Sequence, residues 1–333
     1  MPSSALWWLT DWRPGWFGVA LAVLTGSVYG LLLVRGRRGG VRWPWWRVGC
    51  YAVVGVGSLL YAVCGPLQVH RASIFWIGAL QVGVLSAVTP AGLSMGDPVG
   101  LVRAVPGPAV VRLDHLLQGW PVRVLTFPLV ASVLAVGSVV LVFFTDYFEA
   151  STRSPLVEAI LVVHLVGTGL LFVLPLLTDQ MLPAWASPPL RTLVAFADGL
   201  LDAVPGIMLM VSTTVLAPGY PGFAGLSSAQ ALWEQRWGGG VLLGVTEVVG
   251  VPVLAAIFVD WVRHDEREAR VADALADGPQ PAPDSHAVPP GTVEDKREDQ
   301  GDDKGVRGRD AAGERRLWWE DDPRFADRIY RRR

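Results

Sequence analysis

The chain has 333 residues, 51% hydrophobic and 17% charged, with a formal net charge of −2. That near-neutral sum hides a segregation, because charge sits between apolar stretches and in the last seventy or so residues. Neither an ordinary soluble domain nor a nucleic-acid partner is expected.

In chain order, apolar stretches at about 15–34, 48–65, 73–96, 123–145, 155–178, 190–217 and 238–260 predict a bundle of seven transmembrane helices. Lipid admits only helices or closed barrels, since each backbone N–H and C=O must find a partner without water. Stretches near 20 residues fit helices crossing about 30 Å of hydrocarbon, whereas barrel strands are half as long and alternate. The expected fold class is therefore all-α and polytopic, with 1–262 as the membrane domain. Met1 to Arg13 lacks the charged region and cleavage pattern of a secretory signal, so the first span is expected to stay. Cys50 and Cys64 fall on the second span. At ~1.5 Å per residue they lie about 21 Å apart, too far for a disulfide.

Orientation follows from arginine. Arg35, Arg37, Arg38, Arg42 and Arg47 crowd the first loop, and Arg103, Arg112 and Arg123 mark the third. Cytoplasmic loops carry the excess of Lys and Arg, which puts the N-terminus outside and the C-terminus inside. Arg far outnumbers Lys, present only at Lys296 and Lys304, and with abundant Ala, Gly and Val this points to a high-GC bacterium and its plasma membrane.

Residues 263–277 continue as a polar juxtamembrane helix with Glu266 and Arg270 one turn apart. Residues 278–313 hold almost no large apolar side chain and are expected to form a disordered linker. Aromatic residues return in 314–333, where Trp318, Trp319, Pro323 and Phe325 read as a docking segment for a partner or the anionic inner leaflet, or as a tail folding back on its own membrane domain.

Polar residues inside the spans are the first candidates for function, because lipid makes them costly. Gln81, His164 and Glu247 each lie roughly 13 Å in from the outer surface, with Asp202 near mid-membrane and Met208 and Met210 above it. Presented at one depth, His164, Asp202, Glu247 and Gln81 would make a candidate metal site. The competing reading is that a lone His or Gln in a Gly-rich helix hydrogen-bonds a neighbouring helix. Asp198 and Asp202 share a helical face and need a counter-ion, a proton or water. Cys64, Met208 and Met210 read as packing, and become ligands only for a soft ion such as Cu(I). No P-loop, dinucleotide fingerprint, C-x-x-C or H-E-x-x-H occurs. No catalytic residue is assigned, and the chain is not read as an enzyme.

Several runs resemble the CtaG-type cytochrome c oxidase assembly proteins. They are Leu93 through Gly96-Asp97-Pro98, His164 through Phe172 and Pro175 to Asp179, Pro205-Gly206 with Met208 and Met210, Glu234-Gln235 with Gly238-Gly239, Glu247, and Trp261 to Ala269. The tail from Trp318 to Arg328 resembles those of actinobacterial members. The resemblance implies seven helices, a role in maturing a copper-containing oxidase of the respiratory chain, copper as the associated metal, and oxidase subunits or other assembly factors as partners. Its pattern has histidines where Gly78, Val82, Ile160 and Asp202 stand here, while Gln81 and His164 are kept. Copper favours imidazole and sulfur, so this reduced set suits it poorly.

Three functions are compatible. The first is a scaffold or chaperone for oxidase assembly with weak or no copper binding, as in a diverged paralogue. The second is copper delivery through His164, Asp202 and Glu247 with Met208 or Cys64. The third is a proton or small-solute pathway along Asp198, Asp202, Glu247 and His164, which no inverted repeat supports. The first is expected.

Overall fold

The computed structural model describes residues 6–105, 107, 111–112, 115, 119–177 and 188–276. The linker 278–313 and Trp318, Trp319, Pro323 and Phe325 lie outside the described residues. Everything regular among the described residues is helical. A short α1 (Trp7–Thr10) precedes α2 (Trp16–Arg38), α3 (Trp45–His70) and α4 (Phe75–Ala104). Then come α5 (Trp120–Leu125), α6 (Pro128–Phe144), α7 (Tyr147–Arg153), α8 (Pro155–Leu177), α9 (Pro188–Val211) and α10 (Ser228–Ala276).

Among the described residues, four helices (α2, α3, α4 and α8) are long and apolar enough to cross a membrane. The bent pair α6–α7 adds a fifth if it is one span, broken by 67°. The bundle is thus all-α with four to five candidate spans by this measure, where the sequence pattern predicts seven. Proline explains the difference at 123–145. Pro128 opens α6 and holds Phe127 in an extended conformation (ψ 125°), which severs Trp120–Leu125 from the longer helix. Among the described residues of α9, the apolar helix is Gly199–Val211.

Helix α4 is the hub. Its apolar window is 72% buried against 22% for α2, and it packs on α3, α8 and α10. Helix α9 runs along α10. Without water to expel, membrane helices associate by close packing, and small residues let backbones touch. Gly55 and Gly92 do this between α3 and α4: a Cβ at Gly92 would collide with the Gly55 backbone. Gly206 and Gly239 do it between α9 and α10, where a Cβ at Gly239 would lie 2.6 Å from the Gly206 oxygen. Both α3 and α4 widen into π-helix near their crossing, at Cys50–Gly57 and Val84–Val88.

The Gly96-Asp97-Pro98 run makes a corner near the end of α4. Asp97 takes the left-handed conformation (φ 47°), its carboxylate accepts the Gly100 N–H at 2.9 Å, and Pro98 opens the next helical turn. Arg47 pairs with the same carboxylate at 2.5 Å. Tyr29 and Tyr51 stack at 3.8 Å beside it, and the Tyr29 hydroxyl donates to the Gly96 carbonyl at 2.8 Å.

Candidate functional site

Helical periodicity sends one stripe of each long helix inward. On α8 the stripe includes Leu161, Leu165, Gly169, Val173 and Leu176; on α9 it includes Pro205, Gly206 and Leu209; on α10 it includes Gln235, Gly238, Gly239 and Leu242. These stripes, with α4 and α6, line a partly open cavity of about 70 Å³ that includes Ser86, Val139, Gly169, Phe172, Asp202 and Thr246. At about 30 Å³ per water in the liquid, it has room for roughly two. A carboxylate and two hydroxyls in an otherwise apolar wall can orient water or hold a proton.

Of the sequence candidates, Asp202 alone lines this cavity. His164 sits one residue off the inward stripe of α8 and lines a separate open cleft with Phe17, Ile160 and Val163. Its Nε2 is 3.0 Å from Ser138 Oγ, while Ser138 donates its single proton to the Leu134 carbonyl at 2.6 Å. The imidazole Nε2–H therefore donates to Ser138, tying α8 to α6. Gln81 is buried and donates to the Ala62 carbonyl at 2.7 Å and to Gln68 Oε1 at 2.9 Å, tying α4 to α3. Glu247 is exposed, one position past Thr246. Met208 and Met210 are 37% and 40% exposed. Cys64 is buried, reduced like Cys50, with Sγ 4.0 Å from the Gly15 carbonyl. The Asp198 side chain lies outside the described residues.

The shared interior spot expected for His164, Asp202 and Glu247 is therefore not formed. Among the described residues no group of three or more His, Cys, Asp or Glu side chains is placed to hold a metal ion. Equal depth along parallel axes does not fix rotation about them, and rotation separates these residues.

The sequence reading passed over a second polar cluster. Arg71, in the turn between α3 and α4, is 3% exposed, pairs with Glu158 at 3.5 Å and donates to Ser151. Tyr220, from the segment between α9 and α10, donates to the Arg71 carbonyl at 2.6 Å. Burial pulls the Arg71 pKa down, against Glu158 and Tyr220, which raise it. Burial likewise pushes the Tyr220 hydroxyl up, with Arg71 opposing and Glu234 reinforcing. Arg71 Nε and Glu234 Oε2 are buried without hydrogen-bond partners. Phe75, Phe148 and Phe223 pack around the Tyr220 ring, with centroids 5.0 to 5.5 Å from it. The available signal was Glu158 at the start of the facing span, a carboxylate in need of a cation.

The runs that carry the resemblance are thus mostly framework: a capped corner at Gly96-Asp97-Pro98 and a backbone crossing at Gly206 and Gly239. A family profile described as cytochrome c oxidase caa3 assembly factor (Caa3_CtaG) matches residues 27–264. The chain belongs to the Caa3_CtaG family. Similar curated proteins include uncharacterized proteins of Mycobacterium bovis and Mycobacterium tuberculosis, each 28% identical over 282 residues, covering 81% of this chain and 42% of the relative. One from Mycobacterium leprae is 27% identical over 293 residues, covering 83% and 43%. The chain spans less than half the length of these relatives. No solved structure matches it. Among the described residues of this Caa3_CtaG member no donor set converges for copper: His164 and Gln81 bond to Ser138, Ala62 and Gln68, and Glu247 is exposed.

Proposed function

We propose that this protein is a plasma-membrane scaffold in cytochrome c oxidase assembly. It acts by holding oxidase subunits or other assembly factors against its surfaces rather than through a resident metal. The reading includes seven crossings, with α9 and α10 supplying two of them, the N-terminus outside and the C-terminus cytoplasmic. The observation that carries it is the fate of the Caa3_CtaG motifs. They cap, cross and seal helices, while the polar residues available for metal chemistry are spread over separate faces.

Deletion should lower the haem–copper absorbance of membranes several-fold, and the His164→Ala chain should restore it. Normal oxidase levels in the deletion strain would reject the scaffold. Stoichiometric copper on the purified chain, lost in His164→Ala, would replace it with copper delivery.

A second reading rests on the Asp202 cavity. A carboxylate beside Ser86 and Thr246, in a space of about 70 Å³, is suited to pass a proton. Proton flux in proteoliposomes that Asp202→Asn abolishes would establish it, and no flux from the unmodified chain would end it.

A further inference from the structure

The first turns of α10 have two unlike faces. Gln235, Gly238, Gly239 and Leu242 face inward and are buried. Ala229, Trp233, Arg236, Trp237 and Gly240 recur at helical spacing on the other side and, with Met210 of α9, line an open groove of about 710 Å³. That volume falls in the range of small-molecule sites, roughly 300–1,000 Å³.

Trp233 and Trp237 are stacked with centroids 5.1 Å apart and are 52% and 56% exposed. Two exposed indoles are costly in water and favourable at the headgroup level of a bilayer. Level agrees: the apolar helix of α9 ends at Val211, and the last apolar stretch begins at residue 238. Arg236 is exposed and lines the same groove as the two rings, and among the described residues it makes no ion pair. At Gly240 an added Cβ would meet nothing within 4 Å, so the groove floor is open there.

We propose that this groove seats an anionic phospholipid. Arg236 pairs with the headgroup phosphate, because a guanidinium binds phosphate through two parallel N–H donors. The two indoles flank the glycerol and ester region, where their apolar faces and N–H edges are both satisfied. Met210, Ala229 and Gly240 meet the upper acyl chain. A soluble anion would satisfy Arg236 but leave the indole and thioether wall wet, so charge and apolar surface together select a lipid. The site does not depend on the scaffold reading.

Native mass spectrometry of the full chain from detergent, titrated with phosphatidylglycerol or phosphatidylcholine, tests it. Phosphatidylglycerol should be retained at least fivefold more tightly than phosphatidylcholine. Arg236→Gln and Gly240→Leu should each weaken retention about fivefold, while circular dichroism and melting stay unchanged and Arg37→Gln has no effect. Equal retention of the two lipids, retention unaltered by Arg236→Gln, or displacement by millimolar inorganic phosphate would overturn the assignment.

Discussion

The two ends of α4 are pinned in different ways. Near Gly96 the fastening is mostly local: a residue in the left-handed region, a cap three residues on, a proline, and one arginine from the neighbouring helix. Near Phe75 it is long-range, with Arg71 joined to Ser151, Glu158 and Tyr220, the last of these 149 residues away. A local corner can form with its own helix. The Arg71 cluster exists only once α3, α7, α8 and the segment before α10 have all arrived. The long-range end should accordingly report on completed packing, and the local end on α4 itself.

The strongest way to break that contrast is Arg71→Ala. Stranding Glu158 without its cation should cost roughly 3 kcal/mol, the low end for a broken buried pair because Glu158 keeps some solvent. Thermal melting in detergent, followed by tryptophan fluorescence, should show the largest loss of the set, with Arg71→Lys intermediate because it lacks the planar fork. A melting point equal to that of the unmodified chain would mean the long-range end is held by its aromatics alone.

Next in size is Gly92→Ala, which must push α3 off α4 and should cost about 2 kcal/mol by overpacking. Asp97→Ala removes a cap, an ion pair and a residue tolerant of the left-handed region, at about 1–2 kcal/mol. Asp97→Asn keeps the cap and the conformation, so it should recover most of that loss if the corner is local. Equal damage from both would show that Arg47 dominates.

The smallest effect at neutral pH is Tyr220→Phe, which loses one hydrogen bond, about 1 kcal/mol. Its value lies in the pH profile. Burial holds the folded-state pKa of Tyr220 above its ordinary value of about 10, so folding favours the neutral phenol. That contribution is complete below about pH 10 and is lost as pH climbs through the raised folded value. The unmodified chain should therefore destabilise more steeply above pH 10 than Tyr220→Phe. Parallel profiles would remove Tyr220 from the account.

Much of the fold is legible in hydropathy. The expected spans at 15–34, 73–96 and 155–178 correspond to Trp16–Arg38, Phe75–Ala104 and Pro155–Leu177, because apolar runs between arginine and proline boundaries leave lipid few alternatives. The corner at Asp97-Pro98 was readable as an N-cap followed by a first-turn proline. The break before Pro128 is readable too, although the apolar run across 123–145 conceals it. The site was harder. Counting residues gives depth at ~1.5 Å each, but a shift of one residue turns a side chain by about 100°. Thr246 lines the cavity and Glu247 does not; Leu165 is buried and His164 faces a cleft. Tracing the small and apolar stripe Gly238, Gly239, Leu242 and Thr246 on α10 would have excluded Glu247. No pattern within one helix predicts Arg71, whose partners come from three distant segments.

The π turns at Cys50–Gly57 and Val84–Val88 carry a consequence for sequence length. Each wide turn accommodates an extra residue relative to an α-helix. Removing one position there, such as the outward-facing Val53, would restore ordinary winding without turning the rest of α3, whereas the same deletion in a regular helix turns everything beyond it by about 100°. Leu59, Ala62 and Leu67 would then stay in the interior. Relatives of this protein that lack the wide turn should differ by a one-residue gap at this point and keep the same inward faces.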